Sequence, residues 1–245
     1  MKADAILDFL WPRRCEICGG RSDRPRRHVC SDCLMRVPFV PTDGCCAVCG
    51  RPCEGFARIG GRAVCEECSG RSSAPHFDCA ASAVRYEGTI REIIQGYKFN
   101  AHLWMRDDFA DWLEAAVRTR FAVARVDVVL PMPVSLFHRL DRGYSQCSYI
   151  AKELARRIGR IYRPGVVVRC GHPRRQAGLD ELSRRENVKG TFAVRRPELV
   201  RGRTVLVVDD VMTTGATLSE CARTLKEAGA WRVWCATIAR SVRDG

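Results

Sequence analysis

From about residue 76 onward, apolar positions fall into two alternating patterns. Apolar-rich runs at 126–130, 166–169, 204–208 and 233–238 contain many β-branched residues and predict strands buried on both faces. Between them, apolar residues recur at helical spacing. Ile90, Ile93, Ile94 and Tyr97 share one face of a helix predicted over 88–99, and further helices are predicted over 106–121 and about 144–158. Leu218, Cys221, Ala222, Leu225 and Ala228 mark a last helix, with Gly229 at its end. Strands alternating with helices imply a parallel, doubly wound α/β sheet. Before residue 70 the pattern dissolves and cysteine takes its place. Residues 69–75, which contain Gly and Ser, read as a linker, giving a small unit over 1–75 and an α/β unit over 76–245.

The run at 204–208 leads into two carboxylates, Asp209 and Asp210, and then into Val211 and Met212 followed by Thr213, Thr214, Gly215, Ala216 and Thr217. In open α/β sheets the ligand crevice lies at the carboxyl ends of strands, so carboxylates expected there face a ligand. The small residues that follow let backbone amides approach a phosphate at a helix N-terminus, with Thr217 as the expected cap. A strand ending in Asp-Asp also resembles the magnesium-binding strand of nucleotide triphosphatases. No GxxxxGK[ST] loop accompanies it here. The order of groups therefore points to a sugar-phosphate site.

Ten of the fifteen cysteines lie before residue 70. Cys15/Cys18, Cys30/Cys33, Cys46/Cys49 and Cys65/Cys68 form four CxxC pairs, each able to aim two sulfurs at one ion. Taken in order they predict two structural Zn²⁺ ribbons. Cys45 and Cys53 are further thiols near the second site, and CxxC spacing favours Cys46 as the ligand. Asp4 and Asp8 interrupt Ile6, Leu7, Phe9 and Leu10, so no signal-peptide core is expected, and no apolar run reaches membrane-spanning length. A cytoplasmic, reducing location without membrane insertion is the expectation, and it favours zinc over disulfides.

The formal charge is +13. Two four-thiolate zinc sites would lower it to about +9. Most of the excess falls after residue 78, with 29 basic against 18 acidic residues, which suits a polyanionic ligand. A bias in base composition accounts for it equally well, because 36 of the 41 basic residues are Arg.

Two polar segments complete the candidate site. Arg139, Arg142, Gly143, Tyr144, Ser145 and Gln146 precede a helix and could bring a guanidinium and amides to a pyrophosphate. The second, which includes Arg174, Gln176, Arg184, Arg185 and Asn187, is long and charged, as a lid would be, and as a solvated loop would be. Lys98, between Tyr97 and Phe99 at a helix end, is a further candidate for the pyrophosphate.

The Asp-Asp-Val-Met-Thr-Thr-Gly-Ala-Thr segment resembles the phosphoribosyl-pyrophosphate (PRPP) motif of type I phosphoribosyltransferases. Together with Arg142-Gly-Tyr-Ser-Gln146, Gln176, Arg184, Arg185, Asn187 and the leading ribbons, it is similar over essentially the whole chain to the ComF family. Competence and gluconate-utilisation-related proteins belong to that family, and Tyr144-Ser145 stands here where Phe-Asn is usual. The resemblance implies a type I phosphoribosyltransferase fold behind a double zinc ribbon, with Mg²⁺-PRPP as ligand. Asp209 and Asp210 would hold the ribose hydroxyls and residues 213–217 the 5′-phosphate. It further implies a role in handling incoming single-stranded DNA with a helicase-like partner. The acceptor and the oligomeric state are left open, as is the choice between a transferase of nucleoside metabolism and a PRPP-sensing or DNA-handling accessory.

Overall fold

The computed structural model describes residues 13–52, 55, 57–70, 74–99, 102–133, 146–170 and 189–241. Five strands form a parallel sheet: β3 (Cys79–Arg85), β4 (Val128–Pro131), β5 (Ile161–Tyr162), β8 (Thr204–Met212) and β9 (Arg232–Arg240). Their order is β3-β9-β8-β4-β5, with β8 at the centre. The outer strands β3 and β5 escaped the sequence reading. β3 is built largely from Ala and Ser, which carry little apolar signal, and β5 is only two residues long.

Side chains alternate across the sheet. Leu206 and Val208 face a core formed with helices α3 (Gly88–Phe99), α4 (Arg106–Arg120) and α5 (Gln146–Arg157). Val205 and Val207 face the opposite core, where α6 (Ala216–Glu227) buries Leu218, Cys221, Ala222 and Leu225. Helices thus cover both faces, as a doubly wound sheet requires. The segment 166–169 departs from expectation. Val167–Arg169, β6, pairs antiparallel with β7 (Phe192–Val194) in a separate two-stranded sheet and does not join the central one.

The two cysteine units divide between the faces. Cys15, Val29, Cys30, Cys33 and Val37 extend the core of α3, α4 and α5, whereas Cys46, Cys49, Val64 and Cys65 extend that of α6. The first unit contains the short helix α1 (Ser31–Leu34). The second contains the hairpin β1 (Ala57–Ile59) and β2 (Arg62–Val64) and the short helix α2 (Glu66–Ser69). The chain between them crosses the outer edge of β3, where Val40 N–H donates to Ala83 O at 2.9 Å and Arg85 N–H donates to Pro38 O at 2.8 Å. Ala80 N–H donates to Val48 O at 2.7 Å. An otherwise open sheet edge is covered in this way.

Ion pairs fasten the first unit. Arg24 contacts Asp108 Oδ1 at 3.1 Å, and Arg27 Nε contacts Asp111 Oδ2 at 2.5 Å. Asp108 is buried and also accepts the His28 N–H at 2.7 Å. Among the described residues no helix is long and apolar enough to cross a membrane.

Candidate functional site

Central strand β8 outruns its neighbour β4, whose last pairing is Pro131 with Val208. Contrary to the expectation that the strand stops before the acids, it continues through both to Met212, still paired with β9. Asp209 and Asp210 therefore stand just past the carboxyl end of β4, with one flank of the strand free of sheet bonding to β4. Their placement is rigid: Asp209 Oδ1 accepts the Asp210 N–H at 2.9 Å, and Asp210 Oδ1 accepts the Val211 N–H at 2.7 Å.

Two groups from other elements meet these carboxylates. Lys98 Nζ, near the end of α3, lies 2.8 Å from Asp210 Oδ2. Burial alone would lower the Lys98 ammonium pKa, but the Asp210 carboxylate outweighs it and leaves the value raised. Cys147, in the first turn of α5, donates its thiol to Asp209 Oδ1 at 3.4 Å. Burial, followed by the two carboxylates, pushes that thiol well above its ordinary range, so it stays protonated. Burial also raises Asp209 to about 7, and the neighbouring Asp210 charge adds to the shift while Lys98 opposes it. Cys147 was missing from the sequence-based set, since one cysteine at a helix start has no motif to mark it.

A glycine-led turn follows the strand and opens α6. Gly215 takes φ +79° and is the N-cap of α6, a role the sequence assigned to Thr217. The reason is steric: only glycine adopts this backbone without cost, and a Cβ there would lie 2.6 Å from Met212 Cε. No side-chain oxygen caps the helix, and Thr214 Oγ1 accepts the Ala216 N–H at 3.3 Å. Beyond that of Ala216, the amides of the first turn have no intrahelical acceptor and remain available to an anion. Thr213 is exposed, while Thr214, Ala216 and Thr217 are half-buried.

Gln146 takes a different place from the one expected. It is 5 % exposed, and its Nε2 donates to Lys98 O at 2.6 Å while its own O accepts from Tyr97 Oη at 3.1 Å. It locks the end of α3 to the start of α5 and thereby positions both Lys98 and Cys147. Arg142, Gln176, Arg184 and Arg185 lie outside the described residues.

The cysteines converge as the spacing predicts. Cys15, Cys18, Cys30 and Cys33 place their sulfurs within 4.8 Å of one another, as do Cys46, Cys49, Cys65 and Cys68. The sulfurs of Cys18 and Cys30 are 3.9 Å apart and those of Cys49 and Cys65 3.7 Å, close to the edge of a tetrahedron with Zn–S bonds of about 2.3 Å. Cys30 N–H points to Cys15 Sγ at 3.4 Å and Cys65 N–H to Cys46 Sγ at 3.3 Å, bonds that stabilise a thiolate. Cys45 is turned away, its thiol donating to Pro41 O at 3.3 Å, and Cys53 lies outside the described residues. Both clusters fit structural zinc.

Comparison with known proteins agrees with this architecture. Residues 6–72 match the double zinc ribbon domain and residues 145–244 the phosphoribosyl transferase domain. The chain is 28% identical to Competence protein F of Haemophilus influenzae over 93% of its own length and 97% of that protein's. It is 27% identical to the DNA utilization protein YhgH of Escherichia coli K12, covering 82% of this chain and 94% of that one. The amidophosphoribosyltransferase of the same organism is 32% identical over 48% of this chain, which is 21% of the enzyme. The chain thus carries a double zinc ribbon followed by a phosphoribosyl transferase domain and is similar to Competence protein F along nearly all its length.

Proposed function

We propose that the chain binds Mg²⁺-PRPP at the carboxyl end of β8 and transfers its phosphoribosyl group to a nitrogenous acceptor, releasing pyrophosphate. The observation that carries this reading is the adjacency of a carboxylate pair, half-buried Asp209 and buried Asp210, and a glycine-capped helix N-terminus on one strand-turn-helix unit. The spacing suits a sugar phosphate. Asp209 and Asp210 accept hydrogen bonds from the ribose 2′- and 3′-hydroxyls, and amides and hydroxyls of residues 213–217 hold the 5′-phosphate.

In the reaction an acceptor nitrogen forms a bond to the anomeric carbon as the bond to the pyrophosphate oxygen breaks. The electron pair of that bond leaves with pyrophosphate, and the acceptor's proton passes to solvent. Positive charge develops on the ribose ring, and the carboxylate pair favours it. Lys98 holds Asp210 in place before the ligand arrives and is close enough to share its charge with the leaving pyrophosphate. Asp209 and Asp210 would hold Mg²⁺, which would supply charge neutralisation for the pyrophosphate. The carboxylate oxygens suit that hard ion, and the Cys147 thiol does not. Arg142, Gln176, Arg184 and Arg185 are assigned to the pyrophosphate side and to closure against water, which would otherwise hydrolyse PRPP.

Pyrophosphate release from PRPP with a panel of nucleobases and amines tests the transferase reading. The names of the relatives favour a second one, in which a cytoplasmic PRPP-binding accessory serves DNA uptake. PRPP binding without turnover, together with salt-dependent binding of single-stranded DNA or of a helicase-like protein, would favour this accessory role.

A further inference from the structure

Arg240, the last residue of β9, is 1 % exposed. A guanidinium so deeply buried needs compensating partners. Its Nη1 donates to Cys49 O and lies 3.5 Å from Met212 Sδ, while Nη2 donates to Cys49 Sγ at 3.5 Å. Nε has no hydrogen-bond partner among the described residues. The negative group it touches through Cys49 is the thiolate cluster of the second ribbon, about −2 when four thiolates surround one Zn²⁺. On its other side Arg240 pairs across the sheet with Met212, whose Cε lies 2.6 Å from the point a Cβ on Gly215 would occupy. Met212 is itself buried, and a cavity of about 160 Å³ lined by Cys49, Cys68, Met212, Gly215 and Arg240 separates the ribbon from the loop.

We infer that the second zinc site is a support of the phosphate loop, and that Arg240 is the positioning residue joining them. The inference rests on residues 213–217 being the phosphate-binding turn. With zinc in place, the guanidinium is anchored on Cys49 and holds Met212 beneath Gly215. Loss of the ion unties the Cys46/Cys49 turn on which the guanidinium is anchored, and Met212 is released with it. The first ribbon packs on the other face of the sheet and, among the described residues, has no such connection. Phosphoribosyl binding is thereby made conditional on the zinc status of one ribbon.

The full-length protein tests this with two readouts that do not require catalysis: zinc release to a chromogenic chelator, and amide hydrogen exchange of residues 213–217. In Arg240→Gln one of the two ions should leave at least tenfold faster, and exchange in the loop should rise by a similar factor. Arg240→Lys, which keeps charge but loses the fork, should show the same effects more weakly. Release and exchange both at wild-type values would overturn the inference. Should Arg240→Gln fail to fold, a protein that keeps Arg240 decides. Chelation of a Cys15→Ser/Cys18→Ser variant, in which only the second site holds zinc, should raise loop exchange in step with ion loss. Unchanged exchange would refute the coupling. PRPP titration of the same samples separates the two claims: loop exchange that follows zinc in a protein unable to bind PRPP removes the proposed function and leaves the coupling standing.

Discussion

Asp209 illustrates how a single residue sets the behaviour of the site. Its pKa is raised from the ordinary 3.8 to about 7, first by burial and then by Asp210. A carboxyl whose folded value lies above its unfolded one favours the folded state fully below about pH 4, and that contribution is lost as the pH rises through about 7. Stability of the free protein should therefore fall across this window, while affinity for PRPP, which needs the ionised carboxylate, should rise. Melting temperatures at pH 5 and pH 8 check the sign: the shift on adding Mg²⁺-PRPP should be larger at pH 8, and Asp209→Asn should abolish the difference. Gly215 supplies a second case. Alanine there meets both the left-handed backbone and Met212, so Gly215→Ala should cost at least about 1–2 kcal/mol, read by denaturant unfolding, and weaken PRPP binding. Neither pKa nor backbone angle is written in the sequence, although the Asp pair and the glycine themselves were.

Elements with strong periodicity were legible, and those defined by partners were not. The predicted helix over 88–99 matches α3, and the apolar residues chosen for α6 are buried apart from the half-buried Ala228. β6 was read as a sheet strand because its short apolar run has the right composition, yet pairing with β7 takes it elsewhere. Likewise β3 gains its stability from β9 on one side and the inter-ribbon segment on the other, which no local pattern shows. The second zinc knuckle docks on this strand at Gly50, whose φ is +70° and whose Cβ would lie 2.6 Å from Ala80 O. Gly44 has a similar φ of +66° and nothing within 4 Å. Both alanine variants carry the left-handed strain of about 1–2 kcal/mol, but only Gly50→Ala adds a backbone clash. Gly50→Ala should therefore melt at a lower temperature than Gly44→Ala and lose the second zinc more readily.

At the scale of the whole molecule, the division at residue 75 describes the sequence better than the packing. Each ribbon belongs to one of the two cores, and the chain between them seals the β3 edge. A fragment of residues 76–245 should consequently be aggregation-prone and unable to hold the phosphate loop, which size-exclusion chromatography checks against the full chain. Metal analysis of the full chain should return two zinc ions, and one or none would contradict the pairing of the eight cysteines. The central claim is that the carboxyl end of β8 is a PRPP site, and calorimetric titration of the full-length protein with PRPP in the presence of Mg²⁺ tests it most directly. Wild type should bind, and Asp209→Asn/Asp210→Asn should lose roughly 10- to 100-fold in affinity, as expected for hydrogen bonds to charged groups. No binding by wild type, or undiminished binding by the double variant, would contradict the account.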